Sequence, residues 1–332
     1  MMENPARVAD AQKNSAYRIA VVIPCYKVGE RVLDVIQRVG DGCWRIYIVD
    51  DACPERVGDL VTARCTDPRV HVIRHQANLG VGGAVMTGYR RAIQDGAQII
   101  VKIDGDGQLD PALMGAFVAP LIAGQADYVK GNRFFDLEGL KEMPGIRVFG
   151  NAILSFFSKL SSGYWDIFDP TNGYTAIRVE VAQKLPFGKI SQRFFFESDM
   201  LFRLNLLRAV VIDIPMDAHY GEEVSNLSIM SSVGEFLIKH TRNLGKRIFY
   251  EYFLRDMSLA SFELLFGIAA VLFGGLFGIT HWLESLASGI TTPAGTVMLS
   301  ALPVMLGLQF LLAFIGYDIQ AIPRRPMTQP LS

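Results

Sequence analysis

The chain has 332 residues, half of them hydrophobic, and a mean hydropathy of +0.26. Its 32 basic and 33 acidic residues leave a net charge of −1, so no broad positive field marks it as a nucleic-acid binder. It is long enough for one α/β domain with additions, and the hydropathy is high for a wholly water-soluble enzyme, so the apolar excess must be concentrated somewhere.

Residues 1–17 are polar, lack the apolar stretch of a signal peptide, and read as a disordered lead, which is expected to leave the body of the protein in the cytoplasm. From residue 18 to about 217, short apolar runs alternate with helical stretches. RIAVVIP (18–24), RIYIVDD (45–51), VHVIRH (70–75) and AQIIVKIDGDG (97–107) read as strands, each a continuous run suited to burial on both faces. Segments 30–39, 55–65 and 81–95 between them read as helices. This βαβα order predicts a doubly wound, mostly parallel sheet with ligands at the carboxyl ends of its strands. Cys25, Cys43, Cys53 and Cys65 are spaced 18, 10 and 12 residues apart, which matches no CxxC metal pattern and predicts small, partly buried thiols in a reducing compartment.

The composition then shifts twice. Segment 230–256 predicts an amphipathic juxtamembrane helix, mixing Phe236, Leu237, Ile248, Phe249, Tyr250 and Phe253 with Lys239, Arg242, Lys246, Arg247 and Arg255. Such a helix can lie in the headgroup layer with its basic face toward anionic lipid. Within 257–320, residues 264–283 and 294–317 form two stretches of 20 and 24 residues without a formal charge. Each is long enough to cross a hydrocarbon layer of ~30 Å at ~1.5 Å per residue. Trp282 and Tyr317 suit interfacial positions, and Pro303 is of a kind that membrane helices tolerate. The linker 284–293 holds no Lys or Arg, whereas the flank before the first span is basic and Arg324 and Arg325 lie in the tail, 321–332. The positive-inside rule therefore predicts a multi-pass inner-membrane protein with the 18–229 domain and both hairpin ends in the cytoplasm.

The strongest chemical signal is KIDGDGQLDP, Lys102 to Pro111. Asp104 and Asp106, one small residue apart after a buried strand, can share a hard divalent cation, which prefers oxygen ligands and commonly bridges phosphate oxygens too. Gly105 and Gly107 allow a tight turn. At the earlier strand ends, Pro24 and Tyr26 are placed where a nucleotide base could pack. Asp50 and Asp51 are placed where an acid could accept from a ribose or base, or where one could simply cap a helix or turn. Glycines 80, 82, 83 and 88 surround a helix start and allow close approach to a phosphate or to the sheet.

Taken in order, VVIPCY, VDDACPERVGD, NLGVGGAVMTGYRRA, KIDGDGQLDP and KGNRF resemble the motifs of a family 2 glycosyltransferase of the GT-A fold. With DPTNGYTAIR, FFFESDML and the apolar tail, the chain looks like the polyisoprenyl-phosphate glycosyltransferases, the relatives of dolichol-phosphate mannose synthase. The resemblance covers about residues 18–320. It implies that Pro24, Tyr26, Asp50, Asp51, Gly80, Asp104 and Gln108 hold a nucleotide-sugar, and that Asp104, Asp106 and Gln108 hold Mg²⁺ or Mn²⁺. Arg133, Arg147, Asn151 and Glu197 would meet the acceptor, a polyprenyl phosphate. Asp106, Arg133, Arg147 and Asp169 would form the catalytic set, with Asp169 closing the sugar pocket or acting as base, although a buried structural carboxylate fits Asp169 and Glu197 equally. Two features depart from the family pattern: the acid expected after the first motif's Tyr-Asn is missing, leaving Glu30 in YKVGE as an open substitute, and the Gln-x-x-Arg-Trp signature of processive synthases is absent. The expected reaction is inverting transfer from a nucleotide-sugar, with UDP-hexose the expected donor, at the cytoplasmic membrane face. Transfer to another lipid or glycan and an inactive membrane scaffold or small flippase subunit are the alternatives. The sequence is compatible with a homo-oligomer and does not set the oligomeric state.

Overall fold

The computed structural model describes residues 17–134, 145–216 and 229–331. The chain divides into two compact units: residues up to Leu244 together with those from Pro323, and Gly245–Ile322.

The first unit is built on one seven-stranded sheet in the order β3-β2-β1-β4-β6-β5-β7. Its strands are β1 Ile19–Cys25, β2 Arg45–Asp50, β3 Val70–Arg74, β4 Ile99–Lys102, β5 Tyr128–Asn132, β6 Thr175–Arg178 and β7 Val211–Pro215. The first four pair in parallel, as their largely apolar runs predict, although β3 at the sheet edge is only partly buried, and β5 pairs in parallel with β7. Strand β6 lies between β4 and β5 and is antiparallel to both. The helices α1 Arg31–Arg38, α2 Val57–Arg64 and α3 Val81–Gln94 connect the parallel strands, followed by α4 Met114–Ile122, α5 Gly145–Ser162 and α6 Phe196–Leu206.

One face of the sheet carries Val21, Ile23, Ile46, Ile48, Val101, Ile103, Val129 and Ala176 against Val32 and Val35 of α1, Val57 of α2 and Phe117 of α4, forming the main apolar core. The other face differs. The register aligns Val22 with Lys102, Lys102 with Thr175, Thr175 with Lys130, and Lys130 with Asp213. Residues in register point to the same side, so a polar row crosses a buried sheet. At its apolar end, Val22 packs so closely on Gly88 of α3 that no larger residue fits there without a shift.

The C-terminal residues belong to this unit. Asp127, wholly buried, accepts from the backbone N–H groups of Val210 (2.8 Å), Met327 (2.9 Å) and Thr328 (3.2 Å) and from the Thr328 hydroxyl (2.8 Å). The Leu331 N–H donates to the Ile122 carbonyl at 2.9 Å. Residues 323–331 are thus tied to the first unit.

The second unit contains the end of α7 (Ile229–Phe249), its continuation as a π-helix over Tyr250–Arg255, and two long helices, α8 Leu259–Ser288 and α9 Ala294–Gln320. Both long helices have a mean hydropathy of 2.1 over their most apolar stretch, most of which is not covered by protein, making them a candidate transmembrane hairpin. They pack closely where small residues meet: a Cβ at Gly274 would lie 2.6 Å from the Ser300 carbonyl oxygen, and one at Gly307 would lie 2.8 Å from that of Gly267. Arg247 does not join a lipid-facing basic stripe, contrary to expectation. It is buried, with Nη1 2.6 Å from Asp318 Oδ1 and 3.1 Å from Glu251 Oε2, and Tyr252 donates to the same Asp318 oxygen at 2.6 Å. A guanidinium taken out of water needs such partners.

Candidate active site

Strands β1, β2 and β4 are parallel and end on the same side. The order 3-2-1-4 makes the gap between β1 and β4 the topological switch point, the place beyond the strand ends where open α/β sheets bind their ligands. Tyr26, one residue past β1, is 45 % exposed, and Lys27 Nζ stands 5.5 Å from its ring centre. Pro24 is buried within the strand opposite Val49, so of the two residues expected to meet a base only Tyr26 offers an open face.

The acids at the end of β2 bind the chain's own backbone. Asp50 accepts from the N–H groups of Cys53 (2.8 Å) and Gly58 (2.7 Å), fixing the start of α2. Asp51 accepts from Leu79 N–H (2.9 Å) and Gly80 N–H (2.7 Å), and its Oδ1 lies 2.7 Å from His75 Nδ1. Both carboxylates are buried and engaged within the protein, in the contacts that the capping alternative describes. The same geometry explains Gly80. Its φ is +85°, and a Cβ there would lie 2.6 Å from the Gln192 carbonyl oxygen, so the glycine string packs the start of α3 on residues 191–193 instead of opening a phosphate cradle.

Asp104 and Asp106 both lie on the turn just beyond β4, at this switch point. Gly105 sits directly against the end of β1, its Cβ position 3.1 Å from Ile23 Cγ2 and 3.3 Å from Cys25 Sγ. Asp106 accepts from the Gln108 N–H at 3.0 Å, closing a turn that Gly107 allows with φ +79°. Gln108 thus takes part through its backbone. Both carboxylates are partly exposed. Burial first, and then the charge of Asp104, raise the Asp106 pKa, while Lys102 and Arg31 oppose the rise. Two ionised carboxylates held close enough to repel are relieved by a cation. Among the described residues no group of three or more His, Cys, Asp or Glu forms a metal cage. A cation here would therefore be held by two carboxylates, with phosphate and water oxygens completing its shell, a donor set that fits Mg²⁺ or Mn²⁺.

Asp169 lies on the loop before β6 and is fully buried. It receives Arg133 Nε on Oδ2 at 2.7 Å and Nη2 on Oδ1 at 3.0 Å, and Asn172 Nδ2 on Oδ2 at 3.2 Å. Burial alone would raise its pKa, but the hydrogen bonds and charge of Arg133, with the charge of Lys130, hold it below the usual carboxylate range. A carboxylate with both oxygens occupied and a lowered pKa is a poor proton acceptor, and the geometry is that of a group that orients Arg133. Glu197 is likewise internal: its Oε1 is 3.1 Å from Lys102 Nζ, which also contacts Asp104 Oδ1 at 2.9 Å. It is buried beside Lys102. Glu30 is exposed and pairs with Arg64 at 2.8 Å. The side chains of Arg147 and Asn151, in α5, lie outside the described residues.

Sequence reasoning assigned no role to Lys102, Lys130, Asp213 or Gly173. Lys130 is buried and donates to the Asn172 carbonyl at 2.6 Å. Burial pulls its pKa down and pushes that of its cross-strand neighbour Asp213 up. A lysine inside an apolar strand run was the available signal, since Lys and Asp are rarely buried without partners.

Residues 20–186 match the profile of glycosyl transferase family 2. The chain belongs to that family. The glycosyltransferase is 29 % identical over 219 residues to polyprenol monophosphomannose synthase of Mycolicibacterium smegmatis, covering 64 % of this chain and 80 % of the relative. It is 28 % identical over 232 residues to undecaprenyl-phosphate mannosyltransferase of Micrococcus luteus, covering 68 % and 93 %. Its fold resembles glucosyl-3-phosphoglycerate synthase of Mycobacterium tuberculosis, solved with Mn²⁺, UDP and glucosyl-3-phosphoglycerate, with a TM-score of 0.51, 18 % identity, and 74 % of this chain and 84 % of that one covered. This likeness supports the GT-A architecture.

Proposed function

We propose that this glycosyltransferase moves a sugar from a nucleotide-sugar, with a UDP-hexose as the donor, onto a polyprenyl phosphate at the cytoplasmic face of the membrane. The observation that carries the reading is the pair Asp104 and Asp106, partly exposed at the switch point, in a chain that continues into two long apolar helices. The names of the relatives from Mycolicibacterium and Micrococcus support the acceptor class. A divalent cation bound by the two carboxylates would neutralise charge on the departing nucleoside diphosphate.

The remaining chemistry falls to the chain. The exposed face of Tyr26 suits a nucleotide base. Arg133, its guanidinium plane fixed by Asp169, suits phosphate oxygens, and Arg147 and Asn151 complete the proposed acceptor set. The acceptor phosphate is an anion at neutral pH, so its oxygen attacks the anomeric carbon while the bond to the diphosphate breaks on the opposite face, without a protein base. Configuration inverts, and positioning and electrostatics supply most of the acceleration. The apolar helices have a purpose in this reading, because the prenyl tail of the acceptor stays in lipid.

The orientation rests on the linker without Lys or Arg and on Arg324 and Arg325 beyond α9. It is supported by chain connectivity: the segments on either side of the hairpin, up to residue 244 and from 323, belong to the same compact unit. A pair of spans leaving and re-entering one unit crosses the bilayer and returns.

Membranes containing the protein, incubated with a panel of labelled nucleotide-sugars and polyprenyl phosphate, should yield an organic-extractable sugar-lipid, and Asp106→Asn should abolish it. An unchanged rate in Asp106→Asn removes the carboxylate-pair mechanism. For orientation, a cysteine at Ser288 should react with a membrane-impermeant maleimide in right-side-out vesicles and one at Gln329, also exposed, should not; the reverse pattern overturns it.

A further inference from the structure

Asp104 is held from two sides by buried residues. On one side Lys102, the last residue of β4, brings Nζ to 2.9 Å from Asp104 Oδ1 and 3.1 Å from Glu197 Oε1, with only 1 % of its side chain exposed. On the other side is Gly173, between Asn172 and the start of β6. A Cβ built there overlaps Asp104 Oδ2, and its three nearest heavy atoms all belong to the Asp104 side-chain carboxylate. No positive φ marks Gly173, so its backbone does not itself demand glycine. What demands glycine is the volume occupied by the carboxylate.

We propose that Lys102, Glu197 and Gly173 are positioning residues that hold the Asp104 carboxylate in the pose that accepts a divalent cation. The inference rests on the cation-binding reading of Asp104 and Asp106. A carboxylate on a short loop turns freely about its Cα–Cβ and Cβ–Cγ bonds, and fixing both before the ligand arrives removes an entropic cost of binding. The ammonium fixes one oxygen by a charge-assisted hydrogen bond, and the bare backbone of Gly173 closes off rotation on the opposite side. Glu197 has a separate task. An unbalanced buried ammonium beside a metal ligand would repel the incoming cation, and Glu197 shares that charge without leaving α6. The same loop carries Asp169, which fixes Arg133, and Asn172, which donates to Asp169. Residues 169–173 therefore buttress the cation-binding acid at one end and the phosphate-facing arginine at the other.

The experiment uses the full chain in detergent with Mn²⁺ alone as probe, read by electron paramagnetic resonance. Gly173→Ala is expected to weaken Mn²⁺ binding by about 10–100-fold, the usual effect of losing a group that orients a metal ligand. The double variant Lys102→Gln/Glu197→Gln, which removes both buried charges together, is expected to do the same. A stability cycle supplies the second measurement: Gly173→Ala should lower the melting temperature of the parent and leave that of Asp104→Ala unchanged, because the overlapping carboxylate is then gone. If Gly173→Ala alone fails to fold while Asp104→Ala/Gly173→Ala folds, the proposal is supported. If Gly173→Ala is as damaging with Asp104 removed, or both variants bind Mn²⁺ as tightly as the parent, it is overturned. If Asp104→Asn itself binds Mn²⁺ normally, the cation reading fails. If Asp104→Asn loses binding while the positioning variants keep it, only the positioning inference fails.

Discussion

Arg133 and Asp169 form a two-point ion pair, Nε on Oδ2 at 2.7 Å and Nη2 on Oδ1 at 3.0 Å, with the carboxylate wholly buried and the guanidinium partly open. The asymmetry assigns the roles, since the buried member orients and the open member can reach a ligand. Arg133→Met leaves Asp169 without its main partner and should cost about 3–5 kcal/mol in denaturant unfolding. The folded pKa of Asp169 lies below its ordinary 3.8. Its contribution to stability is therefore complete above that value and is lost only as pH falls through the folded pKa. Sugar transfer between pH 6 and 8 should show no titration that Asp169→Asn removes; finding one would restore Asp169 as a base.

Asp51 holds the Leu79 and Gly80 N–H groups and His75 at the entrance to α3. Asp51→Ala should destabilise the fold by roughly 3 kcal/mol, because buried donors lose a charged acceptor. Thermal unfolding without any nucleotide present will register the loss. A variant that melts like the parent yet loses nucleotide binding would return Asp51 to the donor site.

His240 on α7 is 2 % exposed, lies 2.7 Å from Ser161 Oγ through Nδ1, and is surrounded by Phe157, Phe195 and Phe236. Burial lowers its pKa from 6.5 to about 4. An unfolded chain takes up the proton near 6.5 and the folded chain only near 4, so stability falls as pH drops across that window, by on the order of 3 kcal/mol. His240→Phe should flatten this part of the stability–pH curve in denaturant titrations. An unchanged slope would show that other groups cause it.

In the second unit, Arg247 and Asp318 are both nearly inaccessible and 2.6 Å apart. Arg247→Met alone strands the carboxylate and should cost about 3–5 kcal/mol, whereas Arg247→Met/Asp318→Met should recover much of the loss. Melting in detergent tests the pair, and additive losses would mean the two charges act independently.

The sequence by itself determined the strands β1 to β4, the helices between them, the two long apolar helices and the DxD acids. Each of these depends on local pattern: continuous apolar runs for buried strands, uncharged stretches of spanning length, and glycines where a turn needs them. Only the tertiary structure decided what the other polar residues do. Asp50 and Asp51 match a nucleotide-binding motif in sequence, yet the folded chain turns the first onto the Cys53 and Gly58 N–H groups at the start of α2 and the second onto the Leu79 and Gly80 N–H groups at the start of α3. Lys102, Thr175, Lys130 and Asp213 come from four strands far apart in sequence, and the antiparallel insertion of β6 brings them into one row. Gly173 could be recognised as a buttress of Asp104 only once the loop before β6 was folded against the end of β4. Local pattern records what a segment buries; which charges meet across a sheet depends on strand order and register, and these are set by contacts between distant segments.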